Sequence, residues 1–322
     1  MTRPAPTAFP PAKAAAFARM PPAVFVPVLG LLALGMALRR VLVAHGLGSG
    51  GAGLILGAGS ALWAFALIGY AVKLARRPGV LWQDLRNLPG QAGLAAAGMG
   101  GMVVAAALAG LSLPLARGLL CLSLGLHLLQ GLAFLRVWWG QPPLGRDVTP
   151  VWHLSFVGGI VGAVAALPLG WPGLAMILLG VTLPIALLIW LVSLMQLARR
   201  IPPAPLRPLL AIHLAPAALF AQVLAGLGQG GPALGFAILA GVILMALALR
   251  LRWITSAGFS PFWAAFTFPL ASTVSAAIAV GWLAAGAMLA ALAVLAIPVI
   301  AWRMLRLWPR GRLAARTNAA EA

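Results

Sequence analysis

Hydrophobic residues occur in long unbroken runs along this chain, not in the alternating or amphipathic patterns of soluble proteins. A run of about 20 apolar residues is long enough to cross a bilayer as an α-helix. We predict ten such spans, of which the first is the shortest, at 22–38, 51–72, 91–109, 116–138, 150–168, 173–197, 207–227, 232–249, 262–280 and 284–302. The fold class expected is an all-α membrane protein.

The spacing of the spans indicates a repeated unit. After the first interval, the odd-numbered spans begin about every 55–60 residues, which is typical of helical hairpins. The odd spans are also rich in glycine and proline, residues that let helices approach closely or bend. We therefore predict five hairpins, with the odd helices around a central pore. The alternative is that glycine and proline are simply commoner in membrane helices.

Charge placement supports this count and gives a direction. The chain is 63% hydrophobic and 8% charged, with a net charge of +19 that by itself would suggest a nucleic-acid partner. If the N-terminus is cytoplasmic, all but three of the 22 Lys and Arg fall in cytoplasmic segments; the exceptions are Arg39, Arg40 and Arg117. This is the positive-inside bias of membrane proteins. We predict both termini in the cytoplasm and contact with anionic lipid, but no nucleic acid.

The chain divides by composition into three parts. Residues 1–20 are a basic, Pro/Ala-rich cytoplasmic tail, residues 21–303 a single transmembrane pore domain, and residues 304–322 a basic cytoplasmic tail. No linker interrupts the central part. We place the protein in a bacterial inner membrane.

Groups for catalysis or metal binding are scarce. The three acidic residues, Asp84, Asp147 and Glu321, all lie outside the predicted spans, and Cys121 is the one cysteine. Asp84 is positioned to pair with Arg86, and Asp147 to shape a turn with Arg146. His127, His153 and His213 lack the i, i+4 spacing of a metal site. We expect no enzyme, metal or cofactor. His213 is a functional candidate by its depth in the membrane, or a neutral histidine bonded to a backbone carbonyl.

The absence of carboxylates from the spans also bears on transport. Proton-coupled carriers usually place Asp or Glu within the bilayer, whereas sodium coupling can use carbonyls and hydroxyls and stays open. The groups left to line a pore are apolar side chains, hydroxyls and backbone groups, with basic residues at its cytoplasmic openings. This chemistry suits anions.

The ninth predicted span, FWAAFTFPLASTVSAAIAV, carries an unusual set of residues for a lipid anchor. Pro269 removes a backbone donor and bends the helix where Phe268 lies. The hydroxyls of Thr267, Ser272 and Thr273 are within about a turn. A bulky ring at such a bend suggests a plugged conduit. The alternative is an ordinary kink, with Phe268 facing lipid or a neighbouring helix.

Several motifs resemble one known family. The run from Trp263 to Pro269, WAAFTFP, is similar to a signature of the tellurite-resistance and C4-dicarboxylate transporter family, which includes the plant slow-type anion channels. Further similar segments are Pro27 to Gly30 with Gly35, Thr149 to Trp152 followed by Gly158 to Val161, and Leu206 to Pro208 followed by Ala215-Pro216. The resemblance extends from about residue 20 to 308. Leu88-Pro89-Gly90-Gln91 departs from the family's His-Pro-Val-Arg, so the role of that motif is in doubt here.

The resemblance implies ten helices in five hairpins, a homotrimer with one pore per protomer, and Phe268 as the gating ring. Small inorganic or organic anions are the expected partners. The alternatives are a coupled carrier of C4-dicarboxylates or of oxyanions such as tellurite or sulfite, and a non-transporting scaffold. Our candidate pore-lining residues are Pro27, Gly30, Gly98, Gly158, Gly159, His213, Pro216, Thr267, Pro269 and Thr273.

Overall fold

The structure, a computed structural model, describes residues 15–142 and 147–322. Arg146 and residues 1–14 of the predicted N-terminal tail lie outside the described residues. The longer helices are α1 (Phe25–Ala44), α2 (Gly50–Arg76), α4 (Leu88–Leu108), α5 (Leu113–Trp139), α7 (Pro172–Arg199), α8 (Leu214–Gly226), α9 (Gly230–Leu249), α11 (Thr267–Ala279) and α12 (Leu283–Leu305). The shorter ones are α3 (Val80–Asp84), α6 (Gly159–Ala166), α10 (Leu251–Ile254) and α13 (Arg312–Arg316).

Nine helical segments in the described ranges are long and apolar enough to cross a membrane. The predicted span at 150–168 is the exception, because continuous helix there covers only His153–Ala166. The first prediction, 22–38, was too short, since the helical segment runs from Pro22 to Ala44. Arg39 and Arg40 therefore belong to α1 and not to the loop after it. Long arginine side chains reach polar surroundings from inside an apolar helix, so they need not end a span.

Five helices form a closed ring of contacts. In chain order, α1 packs against α4, α4 against α6, α6 against α8, α8 against α11, and α11 returns to α1. We call these five the inner helices. Each also packs against the long helix that follows it, namely α2, α5, α7, α9 or α12, which we call the outer helices.

Burial separates the two sets. Within the 18-residue apolar stretch of each segment, 50–83% of the residues are buried in the four inner segments that are long enough to span a membrane, against 17–33% in the outer helices. The outer helices also present large apolar side chains at the surface, such as Leu54 on α2, Leu128 on α5, Ile177 on α7 and Leu295 on α12. An apolar surface of this extent is expected to face lipid, because soluble proteins rarely expose one.

Four inner helices begin with backbone that is not α-helical, and the first of them is α1, which follows a short 3₁₀ segment, Pro22–Val24. A π-helical turn, His153–Val157, precedes α6, and 3₁₀ segments precede α8 (Ala204–His213) and α11 (Pro261–Phe266). Pro208 explains the segment before α8, because a proline inside a helix cannot donate a backbone hydrogen bond. Pro269 falls in the first turn of α11, where a missing N–H costs little. At this position the structure shows a change from 3₁₀ to α-helix at Thr267, one residue before Phe268, and the bend predicted from Pro269 stays a prediction.

A buried ion pair joins α2 to α3. Lys73 Nζ lies 2.8 Å from Asp84 Oδ2, and neither side chain is exposed. The Tyr70 hydroxyl also donates to Oδ2, at 3.1 Å, and Lys73 donates to the Met20 carbonyl at 2.9 Å. The predicted Asp84–Arg86 pair is therefore wrong. Helix α3 turns back onto α2, which brings Asp84 to a lysine eleven positions earlier in the chain.

The segment predicted as a basic tail after residue 303 is packed against the rest of the protein. It contains the end of α12 and α13, and then returns to α3, where the Ala320 N–H donates to Asp84 Oδ1 at 2.8 Å. The Ala322 N–H donates to the Ala18 carbonyl at 3.0 Å. Arg19 and Glu321 form an exposed ion pair at 2.8 Å. These contacts connect the two ends of the described chain.

Candidate functional site

Phe268 lies at the centre of the ring of inner helices. Its side chain is 4% exposed. On one side it lines a cavity of about 40 Å³, which we call the N-side cavity because residues at or before the starts of the inner helices form its wall. Each inner helix, or the segment directly before it, contributes a residue: Ala23, Pro89, Leu154, Ile212 and Ala265. Among the described residues, no charged side chain lines this cavity, and Pro269 is also part of its lining.

On its other side, Phe268 lines a second cavity of about 40 Å³, the C-side cavity, formed by later turns of the same five helices. Apolar contributions come from Met36, Val103, Val164, Leu219 and Ala271. This wall also has polar groups: Arg40, Gln222, Ser272 and Ser275. Phe268 is the one residue that the described linings of the N-side and C-side cavities share. Its ring therefore stands between them.

A third and much smaller space, about 10 Å³, also touches Phe268. Gly158 and Pro216, both pore-lining candidates, belong to its wall. This volume is at the lower limit for one water molecule. The packing around the ring is therefore close on the side of α6 and α8.

Other candidates pack helices together. Thr267 is fully buried, and its hydroxyl donates to the Ala264 carbonyl at 2.8 Å. A methyl group added to Gly30 would lie 2.2 Å from Thr267 Oγ1, so these two residues join α1 to α11. The Thr273 hydroxyl donates a hydrogen bond to the Pro269 carbonyl at 2.9 Å.

The remaining glycine and proline candidates are also contact positions. A Cβ on Gly98 would meet His127 of α5 at 3.0 Å, and one on Gly159 would contact Thr182 of α7 at 3.7 Å. Pro27 is buried in α1. None of these three lines the N-side or the C-side cavity.

His213 forms part of a histidine pair. Its Nδ1 lies 3.0 Å from His153 Nε2, and its carbonyl accepts a hydrogen bond from Trp190 at 3.2 Å. It lines a separate cavity of about 340 Å³, together with Arg199 and Arg200. His213 is thus beside the ring of inner helices and does not line the two cavities at Phe268. The structure groups no three metal-binding side chains within the described ranges.

The sequence also matches the model of a known protein family. A family model described as "SLAC1: Voltage-dependent anion channel" matches residues 19–305. The chain belongs to the voltage-dependent anion channel family. This confirms the resemblance inferred from the motifs, since the match covers the same part of the chain. A search of curated proteins found no match.

Membership of the voltage-dependent anion channel family places the chain among integral membrane channels and transporters for anions. The sequence predicted this class from the absence of carboxylates in the spans. It did not identify Arg40 or Gln222, which lie on the C-side wall. The sequence did contain a signal that could have identified Arg40. Ala33, Met36 and Arg40 follow the i, i+3, i+7 spacing of one helical face, and all three line the C-side cavity.

Proposed function

We propose that this protein is a gated anion channel and that Phe268 closes its pore. The observation that carries the proposal is the position of the Phe268 ring between the N-side and C-side cavities. All five inner helices contribute to the C-side wall, and the N-side wall is formed by α1, α4 and α11 with the segments that directly precede α6 and α8, so a path between the cavities passes the ring. Without the ring, the two spaces would join along the axis of the bundle. A non-transporting scaffold would have no need of such cavities.

The chemistry of the walls favours anions. The N-side wall is apolar, and the C-side wall adds the cationic Arg40 with two serine hydroxyls. No carboxylate lines either cavity in the described part of the chain. A cation would lose hydration here without gaining a partner, whereas an anion meets Arg40. Weakly hydrated anions such as nitrate should pass more readily than chloride, because they lose less when water is removed.

We further propose that the short helical segment His153–Ala166 serves as the fifth of ten spans, so that the inner and outer helices form five hairpins. The contacts support this arrangement, because each inner helix packs against the outer helix that follows it in the chain. By family resemblance, three protomers would assemble with one pore each. A bacterial inner membrane is the proposed location.

Ten spans place both ends of the chain on the same side of the membrane, and the positive-inside bias puts that side in the cytoplasm. A reporter active only in the cytoplasm should therefore be active after residue 322, and inactive within residues 45–49, between α1 and α2. Alkaline phosphatase at the same two positions should give the opposite pattern. Phosphatase activity at the C-terminal position would mean an odd number of spans and would refute the hairpin scheme.

Anion substitution in planar bilayers tests the function itself. For a channel, the current of the purified protein should follow membrane potential and the anion gradient alone. Exchanging chloride for nitrate should shift the reversal potential, whereas adding a proton or sodium gradient should not. A strict requirement for such a gradient would instead favour a coupled carrier of C4-dicarboxylates or oxyanions.

A further inference from the structure

Arg40 is held in place at the wall of the C-side cavity. Its Nη1 donates to Gln222 Oε1 at 2.7 Å, between α1 and α8. The Gln222 amide nitrogen in turn donates to the Ser272 carbonyl of α11 at 3.0 Å and to the Ala218 carbonyl at 3.3 Å. Three inner helices therefore fix the guanidinium, and Gln222 uses both ends of its amide to do so. The side chain is preorganised beside the cavity.

The charge of Arg40 has no counter-ion in the protein. The three acidic residues of the chain lie elsewhere: Asp84 beside Lys73, Glu321 beside Arg19, and Asp147 at the 340 Å³ cavity. Within the described residues, the hydrogen bond to the neutral Gln222 is the only polar side-chain contact of Arg40. A partly buried charge is costly unless it is paired. The cavity beside Arg40 is where an anion from solution would supply the missing charge.

Two serine hydroxyls complete the set of donors. Ser272 and Ser275 of α11 are buried, at 3% and 5% exposure, and line the same cavity. Neither hydroxyl makes a hydrogen bond to another described residue. The cavity volume of about 40 Å³ exceeds the roughly 10–15 Å³ needed for one water. A small anion therefore has both space and unused donors here.

We propose that Arg40, Ser272 and Ser275 form a binding site for one small monovalent anion, immediately beyond the Phe268 ring. The planar guanidinium is weakly hydrated and suits oxyanions, so nitrate should bind better than chloride. A C4-dicarboxylate would bring two charges to one cation in a space too small for it. This site rests on the proposed anion conduction and would be the place where a permeating ion pauses next to the gate.

Binding of nitrate to the purified full-length protein provides the first test. In detergent at constant ionic strength, replacing gluconate by nitrate should raise the melting temperature of the parent in a saturable way. In Arg40→Gln, the apparent nitrate Kd should rise about tenfold or more, because a charge-assisted contact is lost. Arg39→Gln is the matched control, since it removes the same charge one residue away and Arg39 does not line the cavity. It should retain the parental Kd.

Conduction gives an independent readout in the Phe268→Ala background. There, Arg40→Gln should lower nitrate current several-fold and reduce anion-over-cation selectivity, whereas Arg39→Gln should not. If Arg40→Gln does not fold, the double variant Ser272→Ala, Ser275→Ala keeps the charge and should still weaken nitrate binding. Equal nitrate affinity in the parent, Arg40→Gln and the serine variant would overturn the site. A silent Phe268→Ala protein with intact nitrate binding would instead contradict the channel and leave the site standing.

Discussion

Replacing Phe268 with alanine is expected to raise anion conductance by at least about tenfold with the fold intact. The ring separates two cavities of about 40 Å³ each. It fills the cross-section and offers no polar group in exchange for lost hydration, which costs several kcal/mol for a charge in an apolar medium. Because about 1.4 kcal/mol corresponds to a factor of ten in rate, removing even part of this barrier has a large effect. Planar-bilayer current per purified protein measures it.

Phe266→Ala is the control for this experiment. Phe266 precedes α11 by one residue, is half-buried, and packs its ring 6.0 Å from that of Trp263. It lines neither cavity at the gate, so its loss should cost packing without opening the pore. A current in Phe268→Ala no larger than in the parent, with normal folding and membrane insertion, would show that the ring does not close the path. A leak confined to Phe266→Ala would assign the gate to the other ring.

Replacing Lys73 with methionine should produce the largest loss of stability. It leaves the Asp84 carboxylate buried without its cation, and breaking one partner of a buried ion pair costs about 3–5 kcal/mol. Neither side chain of the pair is exposed, so water offers little compensation. We expect a correspondingly lower free energy of unfolding in a denaturant titration of the micellar protein.

Two variants separate a lost pair from general damage. Lys73→Met combined with Asp84→Asn removes both charges and should recover a large part of the lost stability. Arg19→Gln breaks the ion pair with Glu321, whose side chains are 59% and 50% exposed, and should leave unfolding nearly unchanged. If the double variant unfolds as readily as Lys73→Met alone, the cost does not come from an uncompensated carboxylate.

The features that depend on local sequence were predictable. Apolar length identified nine helices that are present in the described residues, because a bilayer requires about 20 such residues in a row. Helix ends were less predictable: the first span was predicted to end at residue 38, but the helix continues past Arg39 and Arg40. The fifth span was overestimated because composition does not distinguish a long α-helix from a π-helical turn followed by a short helix.

Features that depend on contacts between distant residues were not predictable from one chain. Arg40 is held by Gln222, 182 positions away, and Asp84 by Ala320, 236 positions away. The WAAFTFP motif did indicate Phe268, because a proline beside a bulky ring is uncommon in a simple anchor. Its burial between two cavities agrees with that interpretation, and its role as a gate stays a prediction.

The contact between Gly30 and Thr267 has a mechanical consequence for opening. A single added methyl group would come within 2.2 Å of the threonine oxygen and 3.5 Å of the Phe268 backbone nitrogen. The backbone at Phe268 is therefore in close contact with α1. Moving the inner helices apart to widen the pore would leave a void between α1 and α11, at a cost in packing. Rotating the Phe268 phenyl group about its χ1 bond leaves the contact between Gly30 and Thr267 intact. We therefore expect conductance to be set by one torsion angle and not by the diameter of the ring of helices, a difference that a structure of the conducting state would reveal.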